Sequence, residues 1–96
     1  MKSEPTAQGV FLYVHGELDI SVVDILERQL AAAEAEGHQT ITLDLEALTF
    51  MDSSGLGMCI AASQRAANQG WSFNIVNASA VRRVFEVSGL TMLLSD

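Results

Sequence analysis

The chain has 96 residues, 49% of them hydrophobic, and a formal net charge of −7. A chain of this length forms one core, burying roughly 60–65% of its unfolded surface without metals or disulfides. The charge leaves no basic footprint for nucleic acid, no apolar run approaches the ~18 residues of a membrane span, and the single Cys59 has no partner for an internal disulfide. Residues 1–9 are polar and lack the apolar core of a signal peptide. They read as a loose lead-in or a short edge strand, and the protein is expected to be cytoplasmic.

Val10-Phe11-Leu12-Tyr13-Val14 is rich in aromatic and β-branched residues and predicts a strand. Gly16-Glu17-Leu18-Asp19 reads as a turn. Ser21 is placed to cap a helix over Val22–Glu36, with Asp24 three residues on as a weak capping box. Val22, Ile25, Leu26, Leu30 and Ala33 recur on one face, Asp24 and Arg28 have i,i+4 spacing, and Gly37 suits the C-terminal end. Thr40–Leu45 alternates as a strand. A second helix is predicted over Ser53–Gln69, with Leu56, Ile60, Ser63 and Ala67 on one side. Trp71–Val76 alternates again, and Ala78–Ser88 predicts a third helix ending in a left-handed Gly89, with Leu90 touching Phe85. Met92–Leu94 reads as a last short strand.

Strands alternating with helices imply a largely parallel sheet with crossover helices. A strand covered on both faces is apolar throughout. Here Thr42 and Asp44 oppose Ile41, Leu43 and Leu45, and Ser72 and Asn74 oppose Trp71, Phe73 and Ile75. The expected architecture is therefore one α/β domain over residues 1–96. Its mixed, mostly parallel sheet has about four or five strands, with helices mainly on one face and a more polar face opposite.

The stretch Leu43–Ile60 carries the chemistry. An apolar strand ends, and Asp52-Ser53-Ser54-Gly55 opens a helix. With Asp52 as N-cap, Ser53 and Ser54 fall in the first turn, where unpaired amides and the helix dipole favour an anion. A serine there is a site to add and remove phosphate. Gly55 leaves two readings open, close approach of another backbone or tight packing on the sheet; packing is the expectation for Gly57. Ser54, Leu56, Gly57 and Met58 are what this helix end would offer a partner, core packing being the other reading for Leu56. Arg82 and Arg83 read as a solvated helix face, and Cys59 as a small buried hydrophobe.

Catalytic readings find little support. His15 and His38 are the only histidines, no G-x-S-x-G elbow frames either serine, and no metal-ligand spacing occurs. Gly55-Leu56-Gly57 lacks the third glycine of a dinucleotide loop and the lysine of a P-loop. No catalytic residue, cofactor or metal is expected.

Three segments in order resemble a known family: Gly16-Glu17-Leu18-Asp19; Leu43-Asp44-Leu45 followed by Phe50-Met51-Asp52-Ser53-Ser54-Gly55-Leu56-Gly57; and Val81-Arg82-Arg83-Val84-Phe85 leading to Ser88-Gly89-Leu90. The chain is similar to STAS domains, and among them to bacterial anti-sigma factor antagonists. The resemblance implies a cycle in which the unphosphorylated antagonist binds an anti-sigma factor that is also a serine kinase, and a sigma factor is released. The kinase then phosphorylates the serine after the motif aspartate, here Ser53, with Ser54 as the rival; the complex parts, and a phosphatase resets it. Asp19, with Asp52 and Gly55, is implied to support that site. No nucleic acid or membrane insertion is implied. The alternative is a STAS subunit that steadies the ATPase of a lipid-transport ABC complex without a phosphoswitch.

Overall fold

The computed structural model describes residues 2–95. Strand β1 (Lys2–Pro5) turns through Thr6–Gly9 into β2 (Gly9–Leu18); helix α1 (Val23–Ala35), β3 (Thr40–Met51), α2 (Ser53–Gln69) and β4 (Ser72–Val76) follow. A 3₁₀ turn at Ser79–Val81 runs into the short α3 (Arg82–Val87), and a second lies at Thr91–Leu93. The sheet order is β1-β2-β3-β4. β1 is antiparallel to β2, and the other two pairs are parallel. The N-terminal lead-in is thus the edge strand that was one of its two readings.

Register explains the two faces. Val10, Ile41 and Phe73 align across the three parallel strands, as do Leu12, Leu43 and Ile75, and all six join the core that the helices cover. Phe11, Thr42 and Asn74 align on the other face, next to Tyr13, Asp44 and Val76. Thr42 and Asp44 point to that polar side but are themselves buried. Asp44 is held by Asn77 Nδ2, which donates to its Oδ2 at 3.0 Å, and by the Glu46 amide, which donates to Oδ1 at 2.9 Å.

Both central strands outrun their predicted ends. Gly16–Leu18 belongs to β2 rather than to a turn, and the chain reverses at Asp19–Val22 instead. The β2–β3 register slips between Tyr13 and His15 and again between Gly16 and Glu17. Each slip is a bulge, one extra residue on β3. The inward residues of β3 therefore run Leu43, Leu45, Leu48, Met51, at spacings of two, three and three, and all four are buried. Side chains steady both bulges: Asp44 accepts from Glu46 N at the first, and Thr49 Oγ1 donates to Gly16 O at 3.0 Å near the second.

The helices differ from expectation in their faces. α1 buries Val23, Leu26, Leu30 and Ala33, while Ile25 is half exposed. Ser21 does not cap it; Val22 holds the N-cap position with no side-chain bond. Among the described residues Asp24 and Arg28 form no ion pair. α2 spans the predicted residues but buries Gly55, Leu56, Met58, Cys59, Ala62 and Ala66. Small residues here let the helix lie close to the sheet, so Ile60, Ser63 and Ala67 fall to the side. α1 and α2 are joined by a two-pronged ion pair: Arg65 Nε and Nη2 donate to Glu34 Oε1 and Oε2, both at 2.9 Å.

The predicted third helix is a 3₁₀ turn followed by less than two turns of α-helix, and it ends as expected. Leu90 N donates to Phe85 O at 2.8 Å and Gly89 N to Glu86 O at 3.1 Å, with Gly89 at φ +71°, the paired bonds of a Schellman ending. Met92–Leu94 is not a strand. Leu93 and Leu94 pack on the core instead, and Ser95 bonds the outer edge of β4: its amide donates to Ile75 O at 2.8 Å and its hydroxyl accepts from Ile75 N at 3.1 Å.

Candidate functional site

The two bulges carry β3 past the sheet's centre and deliver Asp52 beside the end of β2. Asp52 N donates to Leu18 O at 3.1 Å. The residue is extended (φ −102°, ψ −174°) and starts α2 as its N-cap. Its Oδ1 accepts from Ser54 N at 2.9 Å, from Gly55 N at 3.3 Å and from the Ser54 hydroxyl, while Oδ2 accepts from Ile20 N at 3.2 Å. The Ser54 hydroxyl is the main cause of a carboxyl pKa below the usual aspartate range; partial desolvation opposes it, and the amides of Gly55, Ser54 and Ile20 add to it.

Asp19 lies between the two bonds that Leu18 and Ile20 make to Asp52. Its Oδ1 accepts from Ser21 N at 3.0 Å and from Ser21 Oγ at 2.6 Å. Its carbonyl accepts from Val22 N at 3.1 Å and Val23 N at 3.0 Å. Asp19 thus performs the start of α1 that the sequence assigned to Ser21. The structure brings the Asp19 loop and the Asp52 cap into one hydrogen-bonded unit.

The two serines have different surroundings. The Ser54 hydroxyl is committed to Asp52 and the residue is half-buried. Ser53 occupies the first helical position, is exposed, and its hydroxyl has no hydrogen-bond partner among the described residues. An exposed hydroxyl at the start of a 17-residue helix can accept a phosphoryl group, and with the Ser54 and Gly55 amides already donated to Asp52 it is the helix dipole that favours the dianion, by about 0.3–1 kcal/mol.

The remaining expected site residues divide. Gly55 is buried, and a Cβ on it would stand 3.0 Å from Leu18 Cδ2 and Met51 Cγ. That supports packing as its role, with the amide donated to Asp52. Gly57 reverses its expectation: it is exposed, and a Cβ there would meet nothing within 4 Å. Leu56 and Met58, proposed for a partner surface, are 7% and 4% exposed and lie in the core. Leu56 takes the core packing that was its other reading, and Met58 departs from its expected place at a partner surface, because α2 turns its Gly55–Leu56–Cys59 stripe and Met58 inward. Cys59 is fully buried, and burial pushes its thiol up to about 12. Among the described residues no group of His, Cys, Asp and Glu is spaced to hold a metal ion, and no helix is long and apolar enough to cross a membrane.

Sequence reasoning missed Ile20. It is 77% exposed, although its amide is fixed on Asp52. The available signal was an isoleucine out of phase with the buried stripe of α1 and set between two residues of an aspartate-led turn.

A family model for the Mlab, STAS domain matches residues 2–95. The anti-sigma-B factor antagonist of Staphylococcus aureus is 33% identical over 94 residues, covering 95% of this chain and 87% of that protein. The anti-sigma factor antagonist SpoIIAA in its unphosphorylated form is similar in structure, with a TM-score of 0.82 and 30% identity over 99% of this chain and 85% of that one. The Bacillus cell fate determinant SpoIIAA in the phosphorylated form matches with a TM-score of 0.75 and 28% identity, over 99% and 88% respectively.

Proposed function

Because the chain belongs to the STAS-domain family, we propose that it is an anti-sigma factor antagonist whose grip on its partner is set by the state of Ser53. The unphosphorylated chain docks on an anti-sigma factor through the surface around the start of α2, and a sigma factor is released. The anti-sigma factor is also the kinase: Ser53 Oγ takes the γ-phosphoryl group of ATP, losing its proton as ADP leaves. A phosphatase restores the hydroxyl.

One observation carries the choice of residue. Ser53 presents an uncommitted, exposed hydroxyl at the first helical position, while the Ser54 hydroxyl is spent on Asp52. The phosphate adds about −1.5 to −2 charges. Within the chain the helix terminus favours that charge and Asp52 opposes it, so the fold tolerates it. In a docked interface the same dianion is stranded against the partner, at a cost of several kcal/mol. At 1.4 kcal/mol per tenfold, that removes two or more decades of affinity. The non-switching alternative is not favoured, since similar proteins are named as antagonists and the modifiable hydroxyl is free to react.

The test is incubation with the cognate anti-sigma kinase and ATP, followed by mass spectrometry of the peptide from Met51 to Arg65. One phosphate on Ser53 and none on Ser54 is expected. Ser53→Ala should stay bound to the partner under phosphorylating conditions, and Ser53→Asp should bind at least about 100-fold more weakly. Equal affinity of the modified and unmodified chains would overturn the proposal.

A further inference from the structure

We infer that Ile20 and the apolar cleft beside it form the docking anchor of this chain: the cleft receives one aliphatic side chain of the anti-sigma factor, which is flanked there by lysine or arginine. The inference rests on the proposed function and names the partner-facing surface that the buried Leu56 and Met58 cannot supply.

The loop between β2 and α1 is held at both ends, by Asp52 on the Ile20 amide and by Asp19 on Ser21. Ile20 is nevertheless 77% exposed. A single exposed isoleucine means little by itself. This one is β-branched, with few side-chain rotamers to lose, and sits on backbone already fixed, so docking costs little further ordering. It stands in the loop that hydrogen-bonds the cap of the phosphorylatable helix. Two residues on, Val22 begins a cleft of about 180 Å³ lined by Val14, His15, Glu17, Leu18, Val22 and Ile25. Cavities of about 150 Å³ accommodate a molecule the size of benzene, so one aliphatic side chain fits. Val14 and Leu18 form its buried floor, and the half-exposed Ile25 forms its wall.

Charge selects the partner. Residues 15–28 carry Glu17, Asp19, Asp24 and Glu27 against Arg28 alone; Glu17 lines the cleft, and Asp24 and Glu27 are exposed on α1 beside Arg28. An apolar knob and a cleft with Glu17 at its lining, on a surface of net negative charge, match an apolar side chain flanked by a cation, and complementary charge of this kind sets specificity and association rate. It also places the anchor where a Ser53 phosphate adds like charge to an already acidic surface.

The test measures affinity of the unmodified full chain for its cognate anti-sigma kinase. Ile20→Ala and Ile25→Asp are expected to weaken binding at least about tenfold, and Asp24→Lys to weaken it and flatten its salt dependence. Val87→Asp and Met92→Asp, whose parent side chains are 73% and 74% exposed on α3 and the C-terminal turn, should stay within about twofold. Circular dichroism checks folding, and Ile20→Ala carries the test if Ile25→Asp does not fold. If the Ile20 and Ile25 variants bind as tightly as the parent while Ser53 phosphorylation still breaks the complex, the anchor is wrong and the phosphoswitch stands. If the same variants abolish self-association in sedimentation with anti-sigma affinity unchanged, the cleft belongs to a second copy and the inference is overturned. A parent chain that binds no anti-sigma kinase overturns both.

Discussion

Asp52 has two carboxylate oxygens and four donors to satisfy: Ser54 N, Ser54 Oγ and Gly55 N on one oxygen, Ile20 N on the other. An asparagine keeps one acceptor and replaces the other with an NH₂ donor. It can cap α2 or hold Ile20, but not both. Asp52→Asn is therefore expected to leave α2 formed and to free the Ile20 amide, read as faster hydrogen exchange at Ile20 and Ser21 with slow exchange kept along α2. The pH dependence follows from the same bonds. The Asp52 pKa is lowered in the fold, chiefly by the Ser54 hydroxyl. Its contribution to stability is thus fully present above the ordinary aspartate pKa, and it is lost as pH falls through the lowered value. Urea titrations across the acid range should show Asp52→Asn losing less stability on acidification than the parent. An equal loss in both would place the acid sensitivity elsewhere.

The two glycines of the α2 first turns face opposite demands. Each costs roughly 1 kcal/mol against alanine in a helix interior. At Gly55 a methyl group would crowd Leu18 and Met51 at 3.0 Å, both buried, so Gly55→Ala should return little of that cost or lower stability. At Gly57 the space is open, and Gly57→Ala should raise Tm by about 4–8 °C if the full ~1 kcal/mol is recovered. The same variant should bind the anti-sigma factor more weakly if a partner backbone lies flat on Gly57. A gain in stability together with a loss of affinity would show a glycine kept for contact; a gain in both would leave it without that role.

These elements also show what the amino-acid order reveals. The Asp52 cap, the span of α2, the Gly89–Leu90 ending and the two-faced strands were legible because each rests on local spacing. The lengths of β2 and β3 were not, because two bulges break the alternation after Leu45 and bulges depend on the neighbouring strand. The buried stripe of α2 was misplaced because alanine and glycine pack inward where hydrophobicity scales rank isoleucine. At the site, the cap and both serines could be read from local spacing and the preference for Ser53 from the family resemblance, whereas the separate surroundings of the two hydroxyls, which support that proposal, needed the structure. Ile20 depended on a bond across 32 residues.

For the molecule as a whole, the question is whether the proposed switch works by changing the fold or only its surface. The core runs through the helix-covered face of the sheet, from Val10 and Leu12 to Phe85, and Ser53 lies outside it, its hydroxyl making no hydrogen bond among the described residues. Phosphorylation takes a chain of net charge −7 further from neutrality by about two charges. That added repulsion is set against the roughly 0.3–1 kcal/mol that the start of α2 gains from an anion. The balance stays near 1 kcal/mol, which for a domain of this size is a shift in Tm of about 4–8 °C at most, while the loss of partner affinity expected under the proposed switch is two decades or more. Thermal unfolding of the phosphorylated and unmodified chains in the same buffer, with partner titrations on the same samples, separates the two cases. Closely similar unfolding with divergent binding is expected. A drop in Tm beyond about 15 °C, corresponding to several kcal/mol, would mean that the phosphate acts by loosening the sheet–helix layer, and the surface account of the switch would have to be abandoned.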